Sequence, residues 1–130
     1  MMRIRPLAIP LMLALVSLHS ATAHAVTLHT PSVHLNNDQH IRVQVTNVGT
    51  KDIDVAITLK NPAGTTQVPF LDECVETTPI EPGSTCRAIY TAGVAGFATV
   101  EPSSGKVRAA INVLDSTTGR VVTVVPATSK

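Results

Sequence analysis

The chain has 130 residues, room for one domain, and 44% of them are hydrophobic against 15% charged, which excludes a disordered tail. A net charge of +1 and 2% aromatic residues (Phe70, Phe97 and Tyr90, with no Trp) exclude a phosphate-backbone footprint and a base-stacking platform. No nucleic-acid partner is therefore expected.

The first segment reads as an address. Arg3 and Arg5 precede an apolar run, Leu7 to Leu18, followed by the small-residue stretch His-Ser-Ala-Thr-Ala-His-Ala. A positive start, an apolar middle and a small-x-small end predict a cleaved signal peptide over residues 1–25. The run is about 12 residues long and a bilayer span needs roughly 20, so the chain is not expected to be membrane-embedded. Cleavage after Ala25 leaves Val26 first; the alternative, after Ala23, leaves His24 first. The remaining domain is 26–130, and its expected location is periplasmic or secreted.

From Val26 on, the organising signal is alternation of period two, the mark of half-buried strands. A first strand is predicted over Val26 to Leu35, interrupted by Pro31. Ile41, Val43 and Val45 alternate with Arg42, Gln44 and Thr46, and Asn47-Val48-Gly49-Thr50 reads as a turn. Ile53, Val55, Ile57 and Leu59 alternate with Asp54, Ala56, Thr58 and Lys60, ending at Asn61-Pro62-Ala63-Gly64. Gln67 to Leu71 reads as one short strand, with Pro69 placing it at an edge. The turn Pro82-Gly83 leads into a strand over Ser84 to Thr91.

Thr91 to Gly105 reads as irregular, with at most a short strand over Phe97 to Val100. Lys106 to Asp115 is the clearest strand, with Val107, Ala109, Ile111 and Val113 facing in and Arg108, Ala110 and Asn112 facing out. After the loop Ser116 to Gly119, the β-branched run Arg120 to Val125 predicts a strand covered on both faces, stopped by Pro126. The expected core is Val107, Ile111 and Val113 with Ile41, Val43, Val45, Val55 and Ile57. No segment after the leader has helical period. About seven strands with regular turn signals predict an all-β fold: a single antiparallel β-sandwich, with a small barrel as the alternative.

The stretch IRVQVTNVGTKDIDVAITLKNPAG, then IEPGSTC, then VRAAINVLDSTTGRVVTVVPA, resembles immunoglobulin-like and fibronectin type III-like modules of small exported bacterial proteins, including cell-adhesion-related domains. The resemblance implies an Ig-like sandwich, and a fold of this kind does not carry an activity with it. The chain departs from antibody-type domains in lacking the buried Trp and in the close spacing of its cysteine pair.

Chemistry-bearing motifs are sparse. Cys74 and Cys86 are the chain's two cysteines. In an exported chain such a pair predicts a structural disulfide, since the spacing is too wide for a CxxC redox site and two thiolates make a poor zinc site. Asp72, Glu73, Glu76 and Glu81 form an acidic loop without the spacing of a calcium loop. There is no G-x-S-x-G, no phosphate-cradling glycine loop and no catalytic residue to nominate, so the chain is read as a non-enzyme without cofactor or metal.

One metal alternative exists. With His24 first, its α-amino group and imidazole would chelate Cu²⁺, joined by His29, His34 or His40. Small periplasmic copper carriers of sandwich fold are similar in this use of an N-terminal His, but their Met-rich loop is missing here. The leading expectation is a non-catalytic exported module that binds an unknown macromolecule, a protein, or gives structural support. Its candidate contact surfaces are Thr91 to Gly105 and Asp72 to Glu81.

Overall fold

The computed structural model describes residues 25–129, so the expected leader up to its last residue, and His24 with it, lies outside the described part. In chain order the strands are β1 (Leu28–His29), β2 (Gln39–Asn47), β3 (Val55–Lys60), β4 (Thr66–Gln67), β5 (Leu71–Asp72), β6 (Thr85–Ile89), β7 (Phe97–Pro102), β8 (Val107–Asp115) and β9 (Val121–Pro126). They form two antiparallel sheets, β1-β7-β3-β4 and β5-β6-β2-β8-β9. The all-β sandwich expected from the alternation is what the chain adopts. The strands outnumber the expected seven because three of them, β1, β4 and β5, are two-residue pieces.

The alternating strands build the centre. In β2, Ile41, Val43 and Val45 are fully buried while their neighbours stay half exposed. β2 pairs with β8 from Gln39↔Asp115 to Asn47↔Val107 and with β6 from Arg42↔Ile89 to Thr46↔Thr85. Across the sandwich Val55, Leu59, Ala98 and Val100 meet this face. Of the expected core, Ile41, Val43, Val45, Val55, Ile111 and Val113 are buried; Ile57 and Val107 are half-buried and pack against it. Asp52 and Asp54 are exposed, as the alternation requires.

The departures have local causes. Thr91 to Gly105 is not irregular: it contains β7, a six-residue strand flanked by β1 and β3. Gly96 opens it because a Cβ there would lie 1.8 Å from the Lys60 carbonyl oxygen, so only glycine lets the two backbones approach. The strand expected over Gln67 to Leu71 is two strands, one in each sheet, and the chain crosses between sheets around Pro69, which offers no N–H to a ladder. The expected first strand is reduced to Leu28–His29 plus an isolated bridge from Val33 to Gly96.

Two further expectations are corrected. β9 is not covered on both faces; Val121 to Val124 are exposed, because β9 is the outermost strand of its sheet. Asn112 faces outward as expected but is buried, its Nδ2 lying 3.4 Å from Gln44 Oε1.

The inner strands β2 to β7 follow the order B to F of an immunoglobulin-type sandwich: β2, β6 and β5 neighbour as B, E and D do, and β7, β3 and β4 as F, C and C′. The ends are exchanged. β1 lies beside β7, where the last strand would be, and the β8–β9 hairpin joins β2, where the first would be. Past β9 the chain turns to the other sheet, and His29 and Thr128 each donate a backbone hydrogen bond to the other at 2.8 Å. Thr30 reinforces that side: its N–H donates to the Ala98 carbonyl at 3.0 Å and its Oγ1 accepts from Ala98 N at 2.8 Å.

Candidate functional site

The end of the sandwich where β2 runs out is organised by one side chain. Asn47 closes β2 and is fully buried. Its Nδ2 donates to the carbonyls of Lys51 at 2.8 Å and Ile80 at 2.9 Å, and its Oδ1 accepts from Gly49 N at 2.9 Å. Its own N–H donates to Ser84 O, and its carbonyl accepts from Gly83 N. One amide thus ties the β2–β3 loop to the loop before β6, satisfying groups that burial would otherwise leave without partners. Ile53 and Ile80 add a backbone bridge between the same loops, at 3.1 and 2.7 Å.

Two clefts open on this end. One, of about 500 Å³, is lined by Val48, Gly49, Lys51, Ile53, Ser104 and Lys106 among others, within the size range of ligand and peptide sites. The other, of about 400 Å³, is lined by Thr77, Pro79, Ile80, Glu81, Ser84 and Thr85, also within that range. Ile53 lines the first and Ile80 the second, so the bridge between these residues joins the two. The first cleft carries the cations Lys51 and Lys106; the second carries Glu81.

The two stretches nominated from the sequence meet here in part. What remains of Thr91–Gly105 outside β7 falls into two loops, and the one at Ser104 and Gly105 lines the larger cleft. The stretch Asp72–Glu81 is not a plain acidic loop. Its start is a single-turn helix, Glu73–Glu76, capped by Asp72, whose Oδ1 accepts from Cys74 N at 3.0 Å and Val75 N at 3.3 Å. Glu73 pairs with Arg87 at 3.3 Å. The acids are thus partly occupied as a cap and an ion pair, while Glu81 reaches the smaller cleft.

Cys74 and Cys86 are bonded, with Cα atoms 5.0 Å apart, and the bridge ties the helix to β6 beneath this end. Toward the other end of the sandwich, where its N–H donates to Ile41 O, Tyr90 is buried, and desolvation, then the nearby Asp72 carboxylate, push its phenol up to about 12. At the far end of the sandwich Asp115 accepts from Thr118 N at 3.0 Å and Thr117 N at 2.8 Å, and these bonds lower its carboxyl from the ordinary value.

The histidines are spread over different elements. His29 is in β1 of the four-stranded sheet, and His34 is exposed in the following connection. His40 is in β2 of the other sheet, with Nδ1 2.9 Å from Ser116 Oγ. Among the described residues no three His, Cys, Asp or Glu are grouped to hold a metal ion, and no helix is long and apolar enough to cross a membrane. The role of Asn47 is not written in the sequence, although the N-x-G turn that contains it is. No family model matches the chain, and neither curated proteins nor solved structures offer a match.

Proposed function

We propose that this chain is a non-catalytic, exported, Ig-like module that binds a protein partner through the loop end centred on Asn47. The observation that carries the reading is the paired clefts: the β2–β3 loop and the loop before β6 are tied together by the Asn47 amide, leaving a surface with Lys51, Lys106 and Glu81 at its openings. Sandwich folds present recognition loops at their ends in this way, on a scaffold that fixes their shape. The disulfide and the leader-like residues 1–25 support export to an oxidising compartment. The absence of a nucleophile–base motif in the sequence supports a role without catalysis.

The test is site-specific photo-crosslinking in the native cell envelope. Probes at Thr50 and Ser104, on the cleft, are expected to capture one common protein, which a probe at exposed Ala56 on β3 does not. Double reversal of charge, Lys51→Glu with Lys106→Glu, is expected to abolish that adduct. Equal capture from all three positions, or from none, would refute the reading. The copper-carrier alternative depends on His24, since His29, His34 and His40 are not gathered; N-terminal sequencing that finds Val26 first would remove it.

A further inference from the structure

Four strands lie at sheet edges: β1, β4, β5 and β9. An open edge is a row of unpaired N–H and C=O groups, and proteins blunt such rows by shortening, covering or charging them. Three edges here are blunted. β4 and β5 have two residues each, and β5 runs straight into the single-turn helix. β1 also has two, and Thr128 bridges it at His29. β9 is different. It has six residues, Val-Val-Thr-Val-Val-Pro, none charged, with Val121, Val122 and Val124 at 46%, 54% and 56% exposure.

The backbone of β9 is also available. Ala127 N donates to Ala109 O at 2.9 Å, and the register Ile111↔Val125, Val113↔Thr123 continues from there. In an antiparallel ladder hydrogen-bonded pairs alternate, so Val125 and Thr123 bond β8 while the N–H and C=O of Val124 turn to the open side. Leu114 pairs with Val121 after the register shift, which leaves Val122 as the unpaired bulge residue.

The sequence of β9 is self-complementary. Val121-Val122-Thr123-Val124-Val125 reads the same in both directions about Thr123. Two copies laid antiparallel about that residue set Thr123 against Thr123, Val122 against Val124 and Val121 against Val125. Val124 of each copy then lies opposite the bulge residue Val122 of the other, and Thr123 occupies the close, non-hydrogen-bonded position where threonine pairs are favourable. Charge agrees: Arg120 falls opposite Pro126 of the second copy, so the two Arg120 residues stand roughly 20 Å apart, beyond a Debye length of about 8–10 Å.

We infer that β9 pairs with β9 of a second copy of this chain, antiparallel about a two-fold axis at Thr123, making one continuous ten-stranded sheet from two five-stranded ones. The contact is isologous, so it closes as a dimer and does not propagate into fibres. The inference is independent of the loop-end reading, since β9 does not line either cleft.

The test uses the protein as its cell produces it, with Cys74–Cys86 intact. Sedimentation equilibrium is expected to show a reversible monomer–dimer equilibrium. Val124→Pro removes an N–H that β8 does not use, so it is expected to leave the urea midpoint of the monomer unchanged and to raise the dimer dissociation constant at least about ten-fold. Val122→Lys, a charge on the same edge, is expected to do the same and stands in if the proline variant misfolds.

Geometry is read by crosslinking. Non-hydrogen-bonded partners have Cα atoms about 4.5 Å apart, within disulfide reach, so Thr123→Cys is expected to give a covalent dimer under mild oxidation. Val121→Cys is the control, because its own copy lies four residues away, roughly 13 Å, and no bond is expected. A protein that stays monomeric at millimolar concentration, equal crosslinking by both cysteine variants, or an unchanged dissociation constant in both edge variants would overturn the inference.

Discussion

Replacing Asn47 by alanine tests whether the loop end is held by this one side chain. The amide makes three hydrogen bonds of 2.8 to 2.9 Å to backbone groups of Gly49, Lys51 and Ile80, and the residue is fully buried. Each such bond contributes about 1 kcal/mol net, and a backbone group left buried without a partner costs about 1–3 kcal/mol. The bond to Lys51 is only part-buried, so water can replace it, whereas the Ile80 carbonyl is enclosed. Asn47→Ala is therefore expected to cost about 3 kcal/mol, read as a lower urea midpoint with unchanged slope. Asn47→Asp is expected to be at least as damaging, because it deletes both donors and aims a carboxylate at two carbonyl oxygens. Asn112→Ala is the comparison: also buried, it makes one 3.4 Å contact to Gln44, and its loss is expected to cost under about 1 kcal/mol. A cost for Asn47→Ala no larger than that for Asn112→Ala would refute the reasoning.

Ile111→Ala, in the fully buried centre of β8, is expected to cost about 2–5 kcal/mol in urea unfolding, while Arg108→Ala on the exposed face should cost little. Breaking Cys74–Cys86 by the double change to serine is expected to cost about 3 kcal/mol through the freed loop, and thiol titration of the unfolded, unreduced chain should find no free thiol. Tyr90 is the chain's only tyrosine, so ultraviolet titration of the folded protein reports it alone, with a midpoint expected at about 12. Because its folded value lies above the ordinary 10, stability is full below pH 10 and is lost as pH rises toward 12; an ordinary midpoint in the folded protein would contradict its burial.

The strands legible in the residue pattern are those with one wet and one dry face. Ile41, Val43 and Val45 announce β2, and Val107 to Val113 announce β8, because period-two burial writes itself into residue type. β9 misleads for a physical reason: an unbroken β-branched run fits a doubly covered strand and an exposed edge equally well in composition, and neighbours decide which it is. β7 is hidden by Gly96 and Pro102, which read as loop residues, although one permits a close backbone approach and the other ends the strand. The helix at Glu73 is a single turn, too short to show a period. At the loop end the N-x-G turn is visible in the sequence, but that its asparagine also points inward to the loop before β6 is a long-range fact. The bond from Asn47 to Ile80 spans 33 residues.

The reciprocal bonds between His29 and Thr128 also govern the order in which the molecule can be completed. They join residues near opposite ends of the described chain, so this contact closes the longest loop available to it. The entropy of such closure must be met before any bond rewards it, and non-local pairing of this kind slows folding. On a ribosome, or in any passage that releases the chain from its first residue onward, the β2–β3 region and the disulfide-bearing segment emerge early. β1, though made first, cannot gain its outer partner until Thr128 is out. The sandwich therefore stays unlatched on that flank until Thr128 has emerged, after every strand of both sheets.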